Sequence, residues 1–394
     1  MKRLFLLVVA LLVSLVAPAA ISAVTPNKIV VPNFGEYKTL KGDFHVHTVF
    51  SDCNVWPVTR IQEAIWEGLD VIAITDHIDT RHRKMVNNGY FTEKCDRDES
   101  YRTAAKYAGK KILVIHGGEI TRGMPPGHFN CLFVKDNDDI CVAAEKNDHD
   151  HVLAMDGGLK EARNQGAFIM WNHPNWHKQA PNETIMWPCH ERYIKEGYMD
   201  AIEIYNMACG YSPESHQWAL DNNLAVLGNS DCHGPFFNEI DYMKGNHRPV
   251  TLVFAKEKTL EGVREALDAR RSAVFAEGMV YGREQDLVPL LNACVKVKGK
   301  KFGKTGVTFT LENKSSIPIV LTKAPGSEGL WYPRYIVIPP FSMQSVKARP
   351  LLVDNKQPKF DQSLSEIVVN FKVDNFLGAP NKPIDFSVSV PCEW

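Results

Sequence analysis

From residue 40 to about 285, short apolar runs alternate with helix-patterned stretches. Gly42–Val46, Asp70–Thr75, Ile112–Ile115, Ala167–Trp171, Ala201–Tyr205, Ala225–Leu227 and Val250–Phe254 read as strands. The run DVIAIT at 70–75 has the character of a fully buried one. Helical patterning covers Ile61–Trp66, closing at Gly68, then Leu159–Gln165, Pro213–Asn222 and Leu260–Ala269. Strand–helix alternation of this length predicts a parallel sheet. Seven or eight such strands fit a closed or distorted barrel better than an open Rossmann sheet, and no glycine-rich dinucleotide or phosphate loop is present.

Past about residue 288 the period changes. Val295/Val297, Val307/Phe309/Leu311, Val369/Phe371/Val373 and Ile384/Phe386/Val388/Val390 alternate every second residue, with turn-formers such as Pro325-Gly326 and Pro339-Pro340 between them. This predicts a small, independent β-sandwich. All 14 histidines lie between 45 and 247, so chemistry that needs imidazole is confined to the first unit. The expected organisation is a leader at 1–23, a catalytic α/β domain at 40–288 and a sandwich-like domain at 289–394.

Composition adds the compartment. Lys2 and Arg3 precede an apolar run from Leu4 to Val16, and small residues follow to Ala23, which is the layout of a secretory signal peptide. The expected protein is exported, periplasmic or secreted. No later segment reaches the roughly 20 apolar residues of a spanning helix. Removing the leader moves the net charge from -1 to -3. There is no basic block or basic–aromatic interleaving, which argues against nucleic acid as a partner. Nine cysteines without a CxxC pair exclude zinc-finger and thioredoxin readings; in an exported chain they suggest mostly buried thiols with one or two disulfides.

The chemistry sits in six segments: FHVHTVFSD (44–52), ITDH (74–77), GGEI (117–120), PGHF (126–129), NHP (172–174) and NSDCH (229–233). Several fall where an expected strand ends, and in a parallel barrel that places side chains around one rim. His45 and His47, two apart on a strand, share a face and can grip one metal ion. Asp231 and His233 repeat the spacing with an oxygen and a nitrogen donor. Mixed imidazole and carboxylate donors suit zinc, iron or manganese. Burying so many of them without a metal costs several kcal/mol each, on the order of a desolvated polar group.

In this order, the segments resemble the PHP (polymerase and histidinol phosphatase) family, a branch of the amidohydrolase-like barrels, over about 40–285. MPPGHFN (124–130), GAFIMWNHP (166–174) and HRPVTLVFAKE (247–257) look closest to its exported phosphodiesterases that degrade organophosphate diesters, a likeness that continues into the β-rich tail. The resemblance implies a distorted (β/α)7 barrel holding two or three divalent metals (Mn, Zn or Fe). It implies His45, His47, Glu119 and Asp231 on the first metal. Glu119 would bridge to a second, completed by His128 and His173, and Asp52, His77 and His233 would hold a third. Cys53 stands where relatives often have glycine, and Cys232 sits within SDCH; each is expected to pack rather than to bind metal, and if the barrel brings them together they can form a disulfide or a metal-sensitive thiol pair beside the site.

The implied reaction is hydrolysis of a small-molecule phosphodiester by a metal-bridged hydroxide, with Asp231 bonding the hydroxide, the third metal or Arg122 holding a further phosphate oxygen, and His233 or a metal-bound water protonating the leaving group. The alternatives are a phosphomonoesterase of histidinol-phosphatase type, a metal-dependent amidase or lactonase, and a non-catalytic exported metal- or carbohydrate-binding protein. The motif segments lack a dense Arg/Lys cluster, which favours a diester. Asp76 is expected to orient a histidine, and His116 to pack. Arg81 and His82 read as loop residues, and His149, His151, His177, His190, His216 and His247 as surface residues. Trp171 and Trp176 flank the HP motif, as core or as the wall of a leaving-group pocket.

Overall fold

The computed structural model describes residues 28–79, 96–178, 182–303, 305–327, 329–351, 360 and 363–393. The leader at 1–23, Arg81, His82 and Cys95 lie outside the described residues. The first unit contains β1 (Lys38–Asp43), β2 (Val71–Ile74), β3 (Leu113–Thr121), β4 (His128–Leu132), β5 (Phe168–Trp171), β6 (Ala201–Asn206), β7 (Gly210–Tyr211), β8 (Ala225–Asn229), β9 (Val250–Ala255), β10 (Ser272–Ala276) and β11 (Met279–Gly282). Seven of these, in the order β1-β2-β3-β4-β5-β6-β8, run side by side. The ring closes where the chain beyond β1 pairs in parallel with the chain beyond β8, Val46 against Cys232, with Asp231 N–H donating to the His45 carbonyl at 2.8 Å. Side-chain bonds from Thr251 to both backbone groups of Gly228 stitch β8 to β9.

The sheet is mixed rather than parallel. β1/β2, β2/β3, β5/β6 and β6/β8 are parallel, whereas β3/β4, β4/β5 and β1/β9 are antiparallel. The reason is local: only six residues separate β3 from β4, too few for the crossover of a dozen or more that a parallel pair needs. Period-two alternation assigns the two faces. Leu40/Phe44, Val71/Ala73, Phe168/Met170 and Ala225/Leu227 form one cluster, closed by Val263, Ala266 and Leu267. Their neighbours Ile72/Ile74 and Ile169/Trp171 join other clusters beneath the helices.

Helices fall where their apolar positions recur at three and four. The first, α1 (Pro57–Glu67), buries Pro57, Arg60, Ile61, Ala64 and Glu67; Pro57 opens it and Gly68, at φ 81°, closes it in the left-handed conformation that glycine tolerates. None of the described helices is long and apolar enough to cross a membrane.

The tail alternates as expected. Gly306–Asn313 buries every second residue, and Glu366–Ala379 and Lys382–Pro391 do so over most of their length. It forms one four-stranded antiparallel sheet and a second group of strands that is not independent of the barrel. Glu366–Ala379 pairs in parallel with β11, Val280 against Phe376 and Tyr281 against Leu377. A single apolar cluster holds Ile72, Phe275, Leu287, Leu290 and Leu291 together with Phe309, Ile319, Phe371 and Val388. The helix Glu284–Cys294 runs unbroken across 288/289.

Candidate metal centre

The site is assembled on one rim. The chain leaving β1 carries His45 and His47, the loop beyond it Asp52, and the chain leaving β2 carries Asp76 and His77. Glu119 lies within β3, paired across a bridge with His77, and His128 opens β4. His173 follows β5, and Asp231 and His233 follow β8. Gly118 has no room for a larger residue, because a Cβ there would run into the Asn137 and Ile78 side chains. His173 and Asp231 adopt φ of 29° and 51°, a region that costs a non-glycine residue of order 1–3 kcal/mol and persists where the surroundings over-determine it.

The structure brings all nine candidate ligands together. Glu119 lies at the centre: its Oε2 is 3.3 Å from His45 Nε2, 3.2 Å from His47 Nε2 and 3.2 Å from His77 Nδ1, and its Oε1 is 2.8 Å from His128 Nδ1 and 4.0 Å from His173 Nε2. Asp231 Oδ1 stands 3.2 Å from His45 Nε2 and 3.0 Å from His47 Nε2, and its Oδ2 is 3.8 Å from His173 Nε2. Asp52 lies 3.5 Å from His77 and 3.1 Å from His233. Three groups have donor atoms close enough to share an ion: His45, His47 and Asp231; His45, Glu119 and His173; and His47, Asp52, His77 and His233.

These residues fit divalent metal. His47 Nε2, Glu119 Oε1, His128 Nδ1 and His173 Nδ1 are buried without an aligned hydrogen bond, a costly state for groups that nothing else satisfies. The electrostatics run the same way. Burial works against a charged His45, yet Asp231, Glu203 and Glu119 outweigh it and hold the imidazole well above its ordinary value. Burial likewise opposes a charged His47, but bonds to Asp231 and Glu119 push it up to about 9. Glu119 and Asp231, despite burial, are held well below the usual carboxylate range by the surrounding histidines. Without metal, imidazolium charge balances the carboxylates. His173, deeply buried and beside His128, is pushed down to about 4 and stays neutral.

Residues around the ligands hold them in place. Asp76 accepts from Thr48 N–H (2.7 Å), Thr48 Oγ1 (2.7 Å) and Ser51 Oγ (2.6 Å). It therefore fixes the turn after the HxH pair, and is linked to His47 through Ser51, whose hydroxyl lies 3.4 Å from His47 Nδ1. The buried Arg60 donates to the His47 carbonyl (2.9 Å) and the Cys232 carbonyl (2.7 Å), tying the two rim segments together. Glu203, fully buried in β6, has Oε1 3.2 Å from His45 Nδ1. Sequence reading missed it, although an acid in the middle of the apolar run AIEIY was a usable signal.

A cavity of about 290 Å³ opens over the cluster, lined by Asp52, His77, Glu119, His128, Asp231 and His233 with Trp176, Lys178 and Ala208 at its outer wall. Arg122 does not line it. That guanidinium is buried and donates to Asp79 and to the Thr121 carbonyl, with Asp148 3.4 Å away, so the expected substrate contact is corrected. Lys178, its ammonium 5.2 Å from the Trp176 ring centroid, is the Lys or Arg that reaches the cavity among the described residues. The two tryptophans part: Trp171 is fully buried and stacks on His190, whereas Trp176 meets His128 and His173 edge-on.

Other expectations are corrected. His190 and His216 are buried rather than on the surface. His190 Nε2 bonds the Pro126 carbonyl at 2.7 Å, and His216 lies between Tyr211 and the Gly282 carbonyl; desolvation pushes both down to about 4. His247 is half-buried against Phe275, while His149, His151 and His177 are exposed as expected. His116 packs, stacked on Tyr101 and bonded to Asp98. The eight described cysteines are free thiols, so the expected disulfides are not formed among the described residues. Cys53 accepts from Arg60, and Cys232 donates to the Gly234 carbonyl.

Comparison with known proteins adds three findings. An Ig-like domain family matches residues 295–389. A two-domain protein from Bacteroides vulgatus ATCC 8482, containing a predicted PHP-like metal-dependent phosphoesterase, has a crystal structure that superposes with a TM-score of 0.82 at 38% identity, covering 93% of this chain and 99% of that one. The histidinol phosphate phosphatase of Lactococcus lactis subsp. lactis Il1403, solved with zinc, L-histidinol and phosphate, is 16% identical over 60% of this chain and 97% of its own, with a TM-score of 0.30. No curated protein matches the chain.

Proposed function

We propose, for a chain that belongs to the PHP-like metal-dependent phosphoesterases, that it is an exported hydrolase of small phosphodiesters of the organophosphate-diester type. The observation that carries the reading is the convergence of nine imidazole and carboxylate donors beneath one cavity of about 290 Å³. Asp52, Glu119 and Asp231 all face that cavity, so a phosphate anion would be repelled unless cations screened them. His45, His47, Asp52, His77, Glu119, His128, His173, Asp231 and His233 would hold two or three divalent ions (Mn, Zn or Fe), which would supply Lewis acidity toward a phosphoryl oxygen and toward the attacking water.

The chain's own groups divide the remaining work. Asp231 is steadied by Asn206 Nδ2, 3.2 Å from its Oδ2, and accepts a hydrogen bond from the water that attacks phosphorus. His233, 37% exposed at the lip, has Nδ1 2.8 Å from the Asp231 carbonyl and Nε2 3.1 Å from Asp52; with Nε2 free of metal it delivers a proton to the leaving alkoxide, and with Nε2 on an ion that proton comes from water at the same lip. Trp176 and Ala208 give the ester group an apolar wall. Lys178 is the one Lys or Arg lining the cavity among the described residues, and the lack of a denser cationic clamp favours the singly charged diester over the doubly charged monoester.

A panel of nitrophenyl phosphate mono-, di- and triesters, assayed with manganese, zinc and iron, tests the substrate class. The diester should turn over fastest. Strong monoester turnover without diester turnover would replace this reading with a phosphomonoesterase. Export rests on the leader pattern at 1–23 and is read from the N-terminus of the mature protein: Val24 in a periplasmic or secreted fraction supports it, and an intact Met1 in the cytosol removes it.

A further inference from the structure

Glu203 receives three hydrogen bonds whose donors are fixed by their surroundings, and makes a fourth contact to His45. Asn229 Nδ2 donates to its Oε1 at 2.9 Å. That amide cannot be flipped, because Asn229 Oδ1 accepts the Phe44 N–H at 2.8 Å. Asn206 Nδ2 donates to Oε2 at 3.0 Å, and its orientation is fixed by the Ala208 N–H donating to Asn206 Oδ1 at 2.9 Å. The backbone N–H of His173 donates to Oε2 at 2.9 Å. The fourth partner is His45 Nδ1, 3.2 Å from Oε1. An ionised carboxylate is acceptor-only and offers about four lone-pair sites, so with three committed donors the fourth position is filled only if His45 carries its proton on Nδ1.

Resting on the metal-centre reading above, we infer that Glu203 is a positioning residue that locks His45 as the Nδ1–H tautomer, presents its Nε2 lone pair to the metals, and ties together three of the ligand segments. The first tie is direct, to His45. The second is the backbone of His173, held at its positive φ of 29°. The third runs through Asn206, whose Nδ2 also reaches Asp231 Oδ2 at 3.2 Å. Those three residues belong to the two donor groups that share His45, and not to the group of His47, Asp52, His77 and His233. A carboxylate bonded to the far nitrogen of a metal-facing histidine orients the ring and raises its basicity.

Glu203→Gln keeps the shape but sets an NH₂ group against two donors whichever way the amide is turned. Zinc added to the chelator-stripped full chain and counted by elemental analysis should show at least one ion per chain fewer than wild type. Affinity for the lost ion should fall about 10- to 100-fold, while the ion of the His47/Asp52/His77/His233 group stays. Glu203→Asp, which keeps the acceptor-only charge, should recover part of the loss. Nitrogen NMR of the zinc-loaded wild type, labelled at histidine, gives a readout independent of any variant's folding: His45 should be protonated at Nδ1 and metallated at Nε2. Unchanged zinc content and affinity in Glu203→Gln, or a His45 proton on Nε2, overturns the inference and leaves the metal centre standing. Wild-type protein that binds no zinc overturns both.

Discussion

Glu119→Gln is expected to lower kcat for an aryl phosphodiester about 100-fold or more, the scale of losing a main electrostatic element of a catalytic site, and to release at least one metal ion. Among the described residues no other carboxylate lies close to as many histidines. Its two oxygens lie within 4.0 Å of His45, His47, His77, His128 and His173, members of all three donor groups or directly beside them. Glutamine preserves the outline and removes the charge that allows cations to sit side by side. It also turns one buried acceptor into a donor facing imidazoles, so some of the five must rotate or change tautomer. Steady-state kinetics with elemental analysis of the same preparation measures both losses. A variant with wild-type metal content and activity would remove Glu119 from the centre of the site.

Ending the chain after Cys294 should abolish soluble, cooperatively folded protein rather than leave an active barrel. The sequence pattern suggested a detachable sandwich, but the described structure joins the two units twice. The tail strand Glu366–Ala379 continues the barrel sheet through β11, and its removal would bare a strand edge prone to intermolecular pairing. Val280, Leu287, Leu290 and Leu291 share one apolar cluster with tail residues. Full burial of each such side chain is worth about 1.5–3 kcal/mol, so exposing four of them approaches the net stability of a whole domain, about 5–15 kcal/mol. Soluble yield and a thermal melt of the 24–294 fragment decide this. A soluble fragment that melts cooperatively and retains metal would show that the barrel stands alone.

What the sequence made legible follows a physical division. Local patterns were readable: two-residue spacing placed His45 beside His47, continuous apolar runs marked β2 and β5, and strict alternation marked the tail strands. Pairing partners were not. β4 is the five-residue run HFNCL, too short for periodicity to separate strand from loop, and missing it concealed the turn that makes the sheet mixed. Burial of polar residues was equally hidden. His190 and His216 look like surface histidines in sequence because the groups that satisfy them, the Pro126 and Gly282 carbonyls, come from distant segments. Arg122 and Lys178 show the same effect in reverse. The arginine next to a ligand segment is drawn into the core by Asp79, and a lysine from a loop of no evident pattern reaches the cavity.

The measurement that bears most directly on the account is a titration of manganese into chelator-stripped protein, with hydrolysis of bis-nitrophenyl phosphate followed at each addition. The account predicts no turnover without metal, and activity that rises to a plateau at two or three ions per chain. Turnover by the metal-free protein, or two or three bound ions with no phosphoester cleaved, would contradict it.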